Sequence, residues 1–232
     1  MKYRYLVESP DAAVQLIAAS YLRHGYYWYV TGRIPVGKDP ILIDRKIIQK
    51  YSIDISQWER SHRRKRGLGN AHYLRCEDWF IILISEGHHP IKMPSSEGGE
   101  GDEITDCRRV PIKLKGYSIS YRRSGVQSKE SPTKWHTHVR IDRSTYQKMQ
   151  VHFDFQAIHR NEESLAKELS SIPFARYAPV RRQLLVLLRR VNRRRAQAGY
   201  SELGHTCLSL RRTPVKVFSY QTSSSQELER AK

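Results

Sequence analysis

The sequence contains little cysteine and no long hydrophobic run. Cys76, Cys107 and Cys207 are far apart and form no CxxC or Cys/His spacing, which excludes a disulfide framework and a zinc finger and fits a reducing compartment. No stretch of about 20 apolar residues occurs, so no segment is expected to span a membrane. The amino terminus carries no signal-peptide pattern. We therefore expect a cytoplasmic protein that has no membrane partner.

Acidic residues are scarce relative to basic ones. The chain has 41 lysines and arginines but only 23 aspartates and glutamates, which gives a formal net charge of +18. Such an excess opposes compaction by self-repulsion, and binding to a polyanion relieves it because neutralised phosphates release counterions. A generally basic composition that serves no specific partner is the alternative. Hydrophobic residues make up 39% of the chain, which is enough for a folded core.

The order of the predicted elements indicates an α+β fold. Strands dominate before residue 142 and helices after it, which predicts a mostly antiparallel sheet with helices packed on one face and a basic C-terminal helix. We expect a sheet-rich core over 1–141, a strongly basic helical part over 142–218 that belongs to the same domain or forms a small second one, and a mobile tail over 219–232.

Periodicity, capping residues and turn residues place the individual elements. The predicted strands cover residues 2–7, 26–32, 71–75, 79–85, 108–114, 117–123, 135–141, 206–210 and 215–218. The predicted helices cover residues 11–23, 41–51, 57–66, 162–171 and 180–198, with one more that is capped by Asp142 or Ser144 and ends near Ile158.

The predicted helix 180–198 combines a leucine stripe with many arginines. On a helical wheel, one side is apolar and consists of Val180, Leu184, Leu187, Leu188 and Val191. The arginines lie opposite that stripe or beside it: Arg181, Arg182, Arg189, Arg190, Arg193, Arg194 and Arg195. Between residues 176 and 216 the only acid is Glu202, so carboxylates that would normally alternate with the cations are missing.

Arginine suits phosphate because its planar guanidinium donates several hydrogen bonds in a fork. The helix is therefore predicted to lie along a nucleic-acid backbone. Two alternatives stay open at this point: the arginines form a solvated face, or they meet an anionic membrane or an acidic protein.

A second basic cluster closes the predicted helix 57–66. Its cations are Arg60, Arg63, Arg64, Lys65 and Arg66. Cations at a helix carboxyl end are favoured by the helix dipole, but by only a few tenths of a kcal/mol each, so five exceed that need. A phosphate contact and a simple charged turn are both open. If the cluster contacts phosphate, then it and the helix 180–198 clamp a phosphate backbone together, without a cofactor.

Aromatic residues cluster on predicted strands. Tyr27 and Tyr29 share one face of a strand and Tyr26 and Trp28 share the other, because alternate residues point the same way. An exposed aromatic face could stack on unpaired bases. Burial in the core is the more common role for strand aromatics.

The motif His136-Thr-His138 has a catalytic interpretation. Two histidines at this spacing on a strand share a face, and the motif resembles the histidine pair of HUH single-strand endonucleases. The resemblance implies a divalent metal, Mg²⁺ or Mn²⁺, that is bound by His136 and His138 and polarises a phosphate, with Tyr146 as nucleophile and Gln150 on the same helix face. The alternative is that the two histidines lie on the solvated side of a strand and have no catalytic role.

The favoured prediction is a nucleic-acid-binding protein, RNA or DNA, rather than an enzyme. It would work beside other protein subunits in a ribonucleoprotein or mobile-element complex, by analogy alone. The first alternative is the metal-dependent single-strand nickase. The second is an interaction subunit that docks an acidic protein.

Overall fold

The computed structural model describes residues 3–92, 104–123 and 134–218. These residues form an α+β fold, as predicted, but their strands make two antiparallel sheets instead of one. The predicted mobile tail, 219–232, lies outside the described residues. Within the described ranges, no helix is both long and apolar enough to cross a bilayer.

The described residues group into two compact units. The first contains residues 3–17, 28–92, 104 and 215–218, and the second contains residues 18–27, 105–123 and 134–214. Each unit is therefore assembled from segments that are distant in sequence.

The first unit is built around three antiparallel strands in the order β2-β3-β1. Their bounds are β1 (Trp28–Arg33), β2 (Ala71–Cys76) and β3 (Trp79–Ile84). The central strand β3 buries four consecutive residues from Ile81 to Ile84, which explains its unbroken apolar sequence. The β2–β3 turn places Glu77 at a φ of 57°, a left-handed conformation that closes the hairpin.

Three helices of the first unit begin within one residue of their predicted starts. They are α1 (Pro10–Leu16), α2 (Pro40–Lys50) and α3 (Gln57–Lys65). Side chains of Ser9, Asp39 and Ser56 accept hydrogen bonds from the first turns of these helices. After α1 the chain continues as a π-helical turn (Ile17–Tyr21) and a 3-10 turn (Leu22–His24).

The second unit packs helices against a smaller sheet in the order β5-β6-β7. A two-residue strand, β4 (Thr105–Asp106), precedes β5 (Ile112–Leu114), β6 (Tyr117–Arg123) and β7 (Trp135–Ile141). The helices are α4 (Arg143–His159), α5 (Glu162–Ser170) and α6 (Ala178–Gln197). Their apolar faces enclose one core, which includes Phe153, Leu165, Leu184 and Leu188 together with Ile141 from β7.

A side-chain amide joins α6 to the edge strand β7. The Nε2 atom of Gln183 donates to the carbonyl of Ile141 over 3.0 Å, and its Oε1 atom accepts from the Ile141 amide over 2.8 Å. This pair reproduces the two hydrogen bonds that a neighbouring strand would make at Ile141. It also fixes which side of α6 faces the sheet.

Three predicted strands are wrong. The described part of the first, residues 3–7, forms only an isolated bridge between Leu6 and Arg75, and residues 206–210 overlap a 3-10 turn (His205–Cys207). Residues 215–218 form no strand because the Gln15 side chain supplies both hydrogen bonds at Val215, over 2.8 and 3.1 Å. Apolar residues alternate in each case, but among the described residues backbone pairing does not extend beyond the Leu6–Arg75 bridge and one hydrogen bond from Glu8 to Val217.

Candidate nucleic-acid interface

The helix α6 buries the predicted leucine stripe. Val180, Leu184, Leu187, Leu188 and Val191 are all essentially inaccessible, which fits their shared position on the wheel. The remaining surface of the helix carries exposed arginines: Arg181, Arg182, Arg189, Arg190, Arg193 and Arg194.

Arg195 does not belong to this exposed set, which corrects the prediction. Its side chain is only 3% exposed, and its Nε atom donates to the carbonyl of Ser201 over 2.6 Å. Its Nη1 atom donates to the carbonyls of Ala157 and Arg160 over 3.1 and 3.3 Å. The guanidinium therefore connects the end of α4 and the chain after α6 through backbone carbonyls. It is not available to a phosphate.

Arg190 is exposed but already neutralised. Its Nε and Nη2 atoms donate to the two carboxylate oxygens of Asp154 over 2.7 and 2.5 Å, a bidentate pair between α6 and α4. The same carboxylate raises the pKa of Arg190. A phosphate at this position would compete with Asp154 for the guanidinium.

Three arginines form a line along the exposed side of α6. Arg182, Arg189 and Arg193 are seven and four residues apart, a spacing that returns to nearly the same helix face. The first two stand roughly 10 Å apart along the helix axis. None of the three has an acidic partner within the part of the chain that the structure describes.

One face of the second sheet extends this positive charge. In the β6–β7 register, Arg122 lies opposite His136, Ser120 opposite His138 and Ser118 opposite Arg140. Directly opposed residues project from the same face of a sheet, so these side chains share one side. The opposite side, which includes Ile119 and Val139, belongs to the core.

His138 connects this sheet face with α6. Burial lowers the pKa of His138, and the charges of Arg122, Arg140, His136 and Arg182 lower it further. Arg182 therefore lies close enough to act on the same imidazole as the two sheet arginines. We call Arg122, Arg140, Arg182, Arg189 and Arg193 the basic surface.

The histidine pair does not have the surroundings of a metal site. The rings of His136 and His138 are 6.4 Å apart, centroid to centroid, at an angle of 67°. Three arginines act on His138, and they would repel a divalent cation. In the described residues, no group of three or more His, Cys, Asp or Glu side chains could hold a metal ion.

Tyr146, the predicted nucleophile, instead makes a packing contact between two helices. Its hydroxyl donates to the carbonyl of Gln183 over 2.8 Å, which ties α4 to α6. Burial raises its pKa, although a hydrogen bond with Gln150 and the charge of Arg190 oppose that shift. A half-buried phenol with a raised pKa is poorly suited to attack a phosphate. These contacts do not favour the nickase alternative.

The cluster at the end of α3 belongs to the first unit, so it is described by itself. Arg60 donates to the carbonyls of Ile53 and Ala71, the latter over 2.8 Å, and Arg63 donates to the carbonyl of Gly69 over 3.0 Å. These two side chains hold the backbone around α3. The exposed members of the cluster are Arg64, Lys65 and Arg66.

A stack of aromatic rings lies on the second unit with a guanidinium at each end. The rings of Tyr27 and Tyr121 are 4.8 Å apart at 25°, and those of Tyr121 and Trp135 are 5.6 Å apart at 10°. Arg108 lies 4.6 Å from the centre of the Tyr27 ring, and Arg123 lies 5.1 Å from the centre of the Trp135 ring. Burial, and then a hydrogen bond with Tyr121, raise the pKa of Tyr27 to about 12.

A cleft of about 450 Å³ opens beside this stack. Its walls include three aromatic side chains and three basic ones: Tyr121, Trp135, Tyr177, Arg23, His136 and Arg212. The lining also includes smaller side chains, among them Ala18, Ala19 and Thr137. Arg212 lies over the Tyr177 ring at 4.2 Å. We call this site the aromatic cleft.

Sequence reasoning missed most of the aromatic cleft. It singled out His136, as a metal ligand, but gave no role to Trp135, Tyr177 or Arg212. Alternation along β7 could have placed Trp135 and Thr137 opposite the histidines. No sequence signal joins Tyr177 to Arg212, since 35 residues separate them.

No family model, no curated protein and no solved structure matches the chain. Its function is therefore inferred from its own residues.

Proposed function

We propose that the protein binds nucleic acid, and that the basic surface of the second unit holds the phosphate backbone. The supporting observation is the line Arg182, Arg189 and Arg193, which is exposed and lacks acidic partners in the described residues. Aligned guanidinium groups repel one another, and a polyphosphate relieves that repulsion while releasing its own counterions.

The sheet face supports the same assignment. Arg122 and Arg140 add two cations near Arg182. A backbone that passes along α6 can continue onto the sheet, where the carboxylate of Asp142 beside Arg140 is paired with Lys113. Arginines at both places can donate hydrogen bonds to phosphate oxygens.

The salt dependence of binding tests this proposal. Each phosphate contact contributes about 0.7 to 0.9 to the slope of log K against log salt. The triple variant Arg182→Gln/Arg189→Gln/Arg193→Gln is therefore expected to lose roughly 2 to 3 of that slope. Fluorescence anisotropy with a labelled RNA and a labelled DNA of the same sequence, titrated at several salt concentrations, measures it.

A matched variant controls for net charge. Arg64→Gln/Lys65→Gln/Arg66→Gln removes the same number of exposed cations from α3 in the first unit. We expect it to change the slope less, because these three lie at the end of one short helix. Equal losses in both variants would show that total charge alone determines binding. Poly-glutamate that binds as tightly as RNA and DNA would support the acidic-protein alternative instead.

A further inference from the structure

The aromatic cleft combines two chemical properties. Its three rings offer flat apolar surfaces, and Arg23, Arg212 and His136 supply positive charge or hydrogen-bond donors at the same opening. No acidic side chain is among the residues that line it. A ligand that suits both properties is planar and carries a negative charge.

The size of the cleft agrees with such a ligand. At about 450 Å³ it falls within the roughly 300–1,000 Å³ that is usual for small-molecule sites. Trp135 is 39% exposed, so one of the largest rings is accessible at the rim. Bases stack on aromatic rings and on guanidinium planes when they are unpaired, whereas a duplex keeps them stacked inside.

His136 places the cleft next to the basic surface. It lines the cleft, and it lies directly opposite Arg122 in the β6–β7 register. Arg122 is a member of the basic surface. Trp135, Thr137 and Val139 project from the other face of β7, so a strand that follows the basic surface reaches the cleft by passing around the end of the sheet at Arg122 and His136.

We propose that the aromatic cleft takes an unpaired base of a nucleic-acid strand whose backbone lies on the basic surface, so that the protein prefers single strands. This inference depends on the proposed function. An entering base stacks on Trp135 or Tyr177 by displacing the guanidinium of Arg123 or Arg212 from that ring, and Arg212 and Arg23 then contact the adjoining phosphate or the edge of the base.

Abasic strands separate base binding from backbone binding. Three labelled probes of equal length are compared by anisotropy: a single strand, the same strand with abasic residues in its centre, and the duplex. We expect the intact single strand to bind most tightly. Trp135→Ala is expected to weaken its binding roughly 5- to 100-fold, the range that stacking of one base usually gives. The abasic strand should bind equally to wild type and variant.

Two further variants make the result specific. Trp135→Phe retains an aromatic ring and is expected to keep most of the affinity. Trp58→Ala removes a more exposed tryptophan, 75% accessible, from α3 of the first unit and should leave all three probes unaffected. Quenching of tryptophan fluorescence by the intact strand should disappear in Trp135→Ala and persist in Trp58→Ala.

The outcomes distinguish this inference from the function on which it depends. If wild type binds the abasic strand and the duplex as tightly as the intact strand, the basic surface binds nucleic acid but the cleft takes no base. If a free mononucleotide displaces no strand yet quenches Trp135, the cleft is a site for free nucleotides and the inference is wrong. If none of the three probes binds, both proposals fail.

Discussion

The two arginine-rich segments look alike in sequence but use their side chains differently. In α3, Arg60 and Arg63 donate to backbone carbonyls, while the three cations that follow are exposed. In α6, only Arg195 is committed to backbone carbonyls, and Arg190 is paired with a carboxylate. The longer helix thus retains a line of exposed arginines, whereas the shorter one retains only its last residues.

The difference shows what decides the role of an arginine in a basic run. A guanidinium turns inward where a chain reversal leaves carbonyls without amide partners, as at Ala157 and Ser201 for Arg195. Elsewhere it remains in solvent. A count of charges along the sequence therefore overestimates the binding surface, because part of the run supports the backbone.

Replacement of Arg195 is expected to have the largest effect on stability. Arg195→Met retains much of the side-chain length but leaves the carbonyls of Ala157, Arg160 and Ser201 without their donor. We expect the free energy of unfolding to fall by roughly 3 kcal/mol. Urea denaturation followed by circular dichroism measures it.

The control is a neighbouring arginine on the same helix. Arg193→Met removes an exposed guanidinium and should change the free energy of unfolding by less than about 0.5 kcal/mol. It should instead weaken nucleic-acid binding. The division into inward and outward arginines would be wrong if both variants lost stability equally.

Two histidines of the first unit make its stability sensitive to acid. Burial, and then the charge of Arg60, lower the pKa of His72 to about 3. Burial, and then the charges of Arg63 and Lys92, lower the pKa of His89 to about 4. Below the unfolded pKa of 6.5 the unfolded chain binds protons that the folded chain does not, so stability falls as the pH decreases.

Each histidine contributes up to about 1.4 kcal/mol per pH unit until its folded pKa is reached. Between pH 7 and pH 5 the expected loss is therefore roughly 2 kcal/mol for each. Urea denaturation at a series of pH values measures the slope, and His89→Gln should reduce it. If the slope of the free energy of unfolding against pH is unchanged in His89→Gln, His89 does not contribute to the acid sensitivity.

The smallest expected effect concerns the ion pair of Arg190. Asp154→Asn releases the guanidinium from its carboxylate, at a cost to stability of about 1 kcal/mol because the pair is partly exposed to solvent. The freed arginine lies next to the line on α6, so affinity for nucleic acid should increase slightly at low salt. Anisotropy at low and high salt measures the change, and a decrease in affinity would contradict it.

Much of the fold could be predicted because its signals are local. Ser9, Ser56 and Asn161 cap helices within a residue of the predicted starts, and the apolar stripe of α6 is the one given by the wheel. The division of the strands between two sheets could not be predicted. It depends on pairing between residues that are distant in sequence, and alternation within one strand says nothing about its partner.

The candidate site divides in the same way. The exposed arginines of α6 follow from periodicity, which is a property of one helix. The roles of Arg195 and Tyr146 do not, because their partners Ala157 and Gln183 come from other helices. The sheet face also requires the β6–β7 register, and no short turn fixes that register in the sequence.

The amide of Gln183 has a consequence for how the second unit meets other molecules. An edge strand ordinarily offers its backbone to a strand from another chain, but at Ile141 both the donor and the acceptor are already engaged. The same two hydrogen bonds fix the orientation of α6 about its own axis, because the helix cannot rotate without breaking them. The uncharged side chain of Gln183 thus covers the edge of the sheet at Ile141 and keeps the line of arginines on α6 facing the solvent.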